Sequence, residues 1–395
     1  LQNEGLKWER TSSWNVGLDF GFFNGRLNGA FDYYRKNTKD LLVERALPYS
    51  SGFATVMINE GSLLNKGFEF SLNADIIRSN GWKWNVGGNI GFNKTTIENL
   101  GLEVSDIGSL KGVRGYLGKT IGDHFGPANV FIEGEAPGLF FGYKTQGIIQ
   151  EEDVVDGKVG YISSDGSTKY YTSSVGNDMA AGNIKCVDVN EDGIVDPNDM
   201  VVIGDPNPDF TYGFQTRLEW KNLSLSASFT GVYGNDILNI NKVDYTSYTG
   251  SKRYQNLSND MRLANRFTTI DPVTGLNIYY GEYANPERLQ EINSNASIWH
   301  PLMNNTITTD WLVEDGSFLR LGVLTLGYTL PKYWTQKFGV KSLRVYATGN
   351  NLFCLTGYSG QDPEVNTSSS NMTPGYDRSA YPKSRSYIFG LNVTF

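Results

Sequence analysis

The feature that most limits how this chain can fold is a strict two-residue alternation of apolar and polar side chains, sustained over long segments and repeated along the sequence. In the first such segment Trp14, Val16, Leu18, Phe20 and Phe22 alternate with Asn15, Gly17, Asp19 and Gly21. Successive side chains on a strand point to opposite faces, so this segment is apolar on one side and polar or small on the other. Asn24-Gly25 then supplies a tight turn, and Leu27, Gly29, Phe31 and Tyr33 continue against Arg26, Asn28 and Asp32, which predicts a hairpin. The unit recurs with Phe68, Phe70, Leu72, Ala74 and Ile76, a turn at 78–81, and Trp82, Trp84, Val86, Gly88, Ile90 and Phe92. A weaker strand at 129–133 is expected to turn through 134–138 into 139–150. Strands follow at 210–220, 223–229, 318–330, 343–353 and 387–395, for a predicted total of about eleven.

A soluble β-sandwich would alternate too. Three features favour a transmembrane antiparallel β-barrel segment. Short connections near 24, 79, 136, 221 and 335 alternate with long ones at 38–63, 94–125, 151–207, 235–315 and 354–384, the asymmetry of outer-membrane barrels. Phe22, Phe23, Trp82, Trp220, Tyr333 and Trp334 cluster at the short-turn ends, where an interfacial aromatic girdle belongs. The final segment, Tyr387, Phe389, Leu391, Val393 and Phe395, alternates through to a terminal phenylalanine. Such an ending resembles the signal read by the outer-membrane barrel-assembly machinery.

Composition agrees. The chain holds 45 glycines, 23 tyrosines and 21 phenylalanines with only 19% charged residues, and no run of eighteen apolar residues offers a spanning helix. A net charge of −8 without a basic stripe argues against a nucleic-acid partner. An odd number of strands would leave edge backbone unpaired in lipid, so the expectation is a partial barrel. Its remaining strands, any N-terminal plug and a signal peptide are expected to lie outside these residues.

Taken as an ordered set, several motifs are similar to SusC-like TonB-dependent transporters of Bacteroidota. They include Leu6-Lys7-Trp8-Glu9-Arg10-Thr11, Asn65-Lys66-Gly67-Phe68-Glu69, Phe141-Gly142-Tyr143-Lys144 and Gly204-Asp205-Pro206-Asn207-Pro208. Phe318-Leu319-Arg320-Leu321, Gly349-Asn350-Asn351-Leu352, Asp362-Pro363-Glu364-Val365-Asn366 and Gly390-Leu391-Asn392-Val393-Thr394-Phe395 extend the resemblance through the chain. It implies a C-terminal part of a 22-stranded barrel that is filled by a plug, of which eleven strands would be half. It also implies a SusD-like surface lipoprotein as lid, the TonB complex as energy source acting through the plug, outer-membrane lipid around the wall, and oligosaccharides or oligopeptides as cargo. The alternative is a non-energised binding or adhesin barrel; a plug and TonB box would tell the two apart.

The sharpest local motif is 188–199. Asp188, Asn190, Asp192, the Ile194 carbonyl and Asp199 fall at positions 1, 3, 5, 7 and 12 of a calcium loop, with Gly193 at the sharp bend. The expectation is a structural Ca²⁺ that ties down the 151–207 loop. Two departures stand against it: position 12 is aspartate rather than glutamate, and no helix flanks the loop. The bland alternative is an acidic solvated turn. Nothing predicts an enzyme. His124 and His300 are the only histidines, no serine stands in a recognisable setting beside either, and pairs such as Glu151-Glu152 or Asp362 with Glu364 read as loop carboxylates. Tyr245, Tyr248, Tyr254, Tyr279, Tyr280, Tyr283 and Trp299 crowd one long loop, and Tyr358, Tyr376 and Tyr381 another. They suit sugar rings, peptides or a protein lid. A short helix is expected within 256–267, and Cys186 and Cys354 could pair or stay as thiols.

Overall fold

The computed structural model describes residues 3–118, 127–175, 179–247, 256–302, 307–368 and 372–395. Its dominant element is one antiparallel sheet of nine strands in chain order. We number them β1 (Arg10–Phe22), β2 (Leu27–Lys39), β3 (Ser62–Ser79), β4 (Trp82–Asn99), β5 (Phe210–Trp220), β6 (Leu223–Tyr233), β7 (Phe318–Thr329), β8 (Ser342–Thr356) and β9 (Ser386–Thr394). The shortest has 9 residues and the longest 18. A tilted strand needs about 9–11 residues to cross a bilayer, so every one is long enough. No helix among the described residues is long and apolar enough to span.

The ladder registers carry the sequence alternation across the whole sheet. Leu18 opposes Phe31, Phe31 opposes Phe70, and Phe70 opposes Ile90. Further on Phe214 opposes Phe229, Leu225 opposes Leu326, and Val345 opposes Leu391. Directly opposed residues share a face, so these apolar side chains form one continuous surface. That surface is exposed: Leu18 is 63%, Leu326 50% and Phe389 81% accessible. An apolar face of this extent is stable against lipid, not against water. The opposite face gathers Asp19, Asn28, Ser71, Asn73, Asn89, Gln215 and Ser228 in the same registers.

The expected eleven strands are nine. Asn129–Ile132 and Leu139–Gly142 leave the wall and form a separate four-stranded sheet with Gly115–Leu117 and Val201–Gly204. Both segments are four residues long and buried throughout. Their cores, Val130-Phe131-Ile132 and Leu139-Phe140-Phe141, are continuous apolar runs, the pattern of a strand covered on both faces. Removing them fuses two expected long loops and the turn near 136 into one connection, 100–209, between β4 and β5.

Alternation of short and long connections survives this change. Residues 23–26, 80–81, 221–222 and 330–341 lie at one edge, and 40–61, 100–209, 234–317 and 357–385 at the other. Because neighbours are antiparallel, all short connections share one end of the sheet. Phe22, Phe23, Trp82, Trp220, Tyr333 and Trp334 are all exposed there, and the Trp82 and Trp220 rings stack at 5.4 Å. Phe395 follows Thr394, which pairs with Ser342 beside the same end.

The buried core does not lie in the sheet. It lies in the long connections, where Phe141, Tyr161, Tyr171, Ile184, Phe267 and Trp299 pack together. The described residues of 100–209 and 234–317 thus build one body. The Tyr143 amide donates to the Thr308 carbonyl at 2.9 Å, Thr145 Oγ1 to Asp310 Oδ1 at 2.6 Å, and the His300 amide to the Gly182 carbonyl at 3.0 Å. The helix expected within 256–267 is only a 3₁₀ turn at Asn259–Met261, while regular α-helix of two turns appears at Pro286–Asn293.

Candidate functional site

Three places hold polar chemistry. The first is the polar face of the wall. On it a concavity of about 660 Å³ opens across β1–β6, with Asn28, Ser71, Asn73, Asn89, Gln215 and Ser228 among its lining residues. Glycines make the room for these amides: a Cβ on Gly87 would sit 2.9 Å from Asn73 Nδ2 and 3.0 Å from Gln215 Nε2. Asn85 Nδ2 donates to both Asn73 Oδ1 (2.7 Å) and Asp75 Oδ1 (3.0 Å). Tyr34 Oη donates to Asn93 Oδ1 at 2.8 Å. Asp19, Asp32 and Glu69 add negative charge to this face, with Asp32 and Glu69 directly opposed on β2 and β3. A wall of amides, hydroxyls and carboxylates can exchange hydrogen bonds with a hydrated polar molecule at little net cost.

The second is the 188–199 loop, where the five predicted residues fall within the packed body above the wall. Asp188 is buried; its Oδ2 accepts the Gly193 amide at 2.8 Å, and its Oδ1 has no hydrogen-bond partner. Asn190 Oδ1 accepts the Asp192 amide and Asp192 Oδ1 the Ile194 amide, both at 2.9 Å. Asp199 is fully buried: Oδ1 accepts the Val189 and Asn190 amides at 2.8 and 3.2 Å, and Oδ2 the Asp196 amide at 2.8 Å. Glu191 (φ 61°) and Gly193 (φ 86°) turn the chain through left-handed conformations. Among the described residues no group of three His, Cys, Asp or Glu side chains converges on one point. Asp196 N-caps the 3₁₀ turn Pro197–Asp199 in place of an exiting helix.

The third is where the long connections meet the wall. Arg320 on β7 and Asp362 are both buried, with Nη2 and Oδ1 2.7 Å apart. Arg320 Nε lies 2.7 Å from Glu364 Oε2, and Nη1 donates to Asn351 Oδ1 at 2.5 Å. Asn351 takes a left-handed φ of 52° next to the bulge in the β7–β8 ladder, a conformation asparagine tolerates. Sequence alone reads Asp362 and Glu364 as loop carboxylates and does not show this clamp; an arginine inside an otherwise alternating strand is the available signal. Nearby, Glu314 accepts the Ser359 amide and hydroxyl at 2.8 Å each and lies 3.3 Å from Lys242 Nζ. Burial pushes the Glu314 carboxyl up, but the Ser359 amide, the Lys242 charge and the hydroxyl and amide donors outweigh it, and the net effect is downward.

The aromatic set divides. Trp299, Tyr358 and Tyr376 are buried, whereas Tyr245, Tyr280, Tyr283 and Tyr381 are exposed on the long-connection side. Tyr248 and Tyr254 lie outside the described residues, as does His124. His300 Nδ1 accepts the Leu302 amide at 3.2 Å. Cys186 and Cys354 are not joined in a disulfide.

Residues 1–123 match the family described as TonB dependent receptor-like, beta-barrel. Over its full length the chain is 31% identical to TonB-dependent receptor P3 of Formosa agariphila, covering 35% of that protein. It is 29% identical to TonB-dependent receptor SusC of Bacteroides thetaiotaomicron, covering 32%. Among solved structures, the RagAB peptide transporter matches the whole chain with 36% of its own, at 25% identity and a TM-score of 0.70. The chain therefore spans about a third of the length of these relatives. Their family comprises receptors and transporters, not enzymes. Two-faced wall, connection asymmetry and full-length similarity converge: residues 1–123 match the TonB-dependent receptor β-barrel, and the whole chain is similar to part of SusC-like receptors of the outer membrane.

Proposed function

We propose that this chain serves TonB-dependent active import of polar oligomers, oligosaccharides or oligopeptides, in company with a SusD-like surface lipoprotein. The observation that carries the reading is the polar face that runs across β1–β6 of the nine-stranded sheet behind a lipid-facing one. A wall with that polarity encloses a hydrated lumen. In a receptor of the relatives' length the remaining strands complete the barrel, a plug fills it, and the TonB complex pulls on the plug. Exposed Tyr280, Tyr283 and Tyr381 stand on the long-connection side. Their amphipathic rings suit a protein lid and sugar or peptide cargo alike.

The test is uptake. Cells carrying the complete receptor should accumulate labelled maltooligosaccharide or oligopeptide mixtures only while TonB is functional. Binding that persists without TonB, with no accumulation in either strain, would favour a passive binding barrel instead.

A further inference from the structure

We propose that residues 188–199 bind one calcium ion that holds the body above the wall together. Asp188 carries the argument: its carboxylate is buried, one oxygen is fixed across the loop by the Gly193 amide, and the other is unpartnered. A buried carboxylate oxygen without a donor is costly and calls for a cation or water in contact with it. Among the described residues no lysine or arginine forms an ion pair with that carboxylate. The nearby base, Lys169, pairs instead with Glu191, whose carboxylate turns outward to Ser163 as well. Asp188, Asp192, Asp196 and Asp199 thus stand within twelve residues that contain no lysine or arginine.

The donors are all oxygen, with neither histidine nor cysteine in the loop. That set fits a hard cation, and the mixed supply fits calcium, which accepts carboxylate, amide, carbonyl and water together. The carboxylates do not form a cage by themselves. Asp188 Oδ1, the Asn190 and Asp192 side chains and the Ile194 carbonyl would be completed by water, with Asp199 closing the loop through the amides it already accepts. The ion would fasten a junction of the core. Tyr161 Oη donates to the Asp188 carbonyl at 3.1 Å, and Ile194–Val195 pairs in parallel with Thr172 and Ser173.

The experiment uses the intact receptor in detergent, stripped with EGTA and dialysed against ⁴⁵Ca. We expect the double variant Asp188→Asn, Asp192→Asn to bind one equivalent less than the unmodified protein. Glu191→Gln, whose carboxylate faces Lys169, should bind as the unmodified protein does. Limited proteolysis within 151–208 should speed up on the order of 100-fold when calcium is removed from about 100 times Kd, because saturation at that level suppresses opening by that factor. Heat-modifiable migration on gels reports whether the barrel is still assembled. Equal calcium in the double variant, equal loss in Glu191→Gln, or cleavage of the unmodified protein that ignores EGTA each overturns the site. The last of these needs no variant to fold.

Discussion

At the residue scale, the clamp around Arg320 shows how burial changes the worth of a charge. An exposed ion pair contributes little, but removing one partner of a buried pair strands the other and costs about 3–5 kcal/mol. Arg320→Ala leaves Asp362 in that position, so amide exchange across 357–385 should accelerate by about two to four orders of magnitude, as those energies imply. Hydrogen exchange with mass spectrometry reads this directly, and unchanged protection there would show that the clamp holds nothing. The glycines of the polar face make the opposite point. Gly87→Val would drive a side chain into Asn73 and Gln215. We expect slower uptake with normal barrel assembly, measured by transport and by heat-modifiable migration; normal uptake would mean that this face does not line the path.

At the scale of elements, the connections are held by polar contacts whose strength depends on pH. Glu314 joins the 234–317 connection to Ser359 in 357–385. Its folded carboxyl lies below the ordinary 4.5, so its contribution is complete above that value and is lost as pH falls through the lower folded one. Exchange of the Ser359 amide should therefore rise on acidification below about 4.5, and in Glu314→Gln that rise should be absent. The same Ser359 profile in both proteins would remove Glu314 as the cause. Elements also explain the miscounted strands. Alternation identifies a strand whose two faces meet different surroundings, whereas a short apolar run fits a buried strand in any sheet. Val130-Phe131-Ile132 carried no face information, so its neighbours had to be decided by packing.

At the scale of the whole molecule, β1 and β9 each pair on one side only among the described residues. Unpaired strand edges are not tolerated in lipid. Produced alone, the chain should fail to give a heat-modifiable barrel in detergent; produced as part of a receptor of the relatives' length, it should give one. A stable closed barrel from these residues alone would contradict the edge argument. Orientation follows from the connections. A cysteine at Asn24 should resist impermeant maleimide on intact cells, while one at the exposed Val273 should react; the reverse pattern would turn the sheet over.

The alternation of Trp14 to Phe22 and its successors determined by itself that the chain forms strands with one apolar face and one polar face, because strand geometry converts a period of two into two surfaces. The short turns, the aromatic ends and the ordered motifs were equally local, and they carried the family. Tertiary structure alone decided what the long connections do. Their residues lack period, so nothing local says that Phe141, Tyr161 and Trp299 share a core or that Arg320 meets Asp362, 42 positions away. The 188–199 motif stands between the two. Its spacing was legible, but only folding buries Asp188 beside Tyr161 and leaves one of its oxygens without a partner, since burial belongs to the surroundings and not to the sequence of the loop.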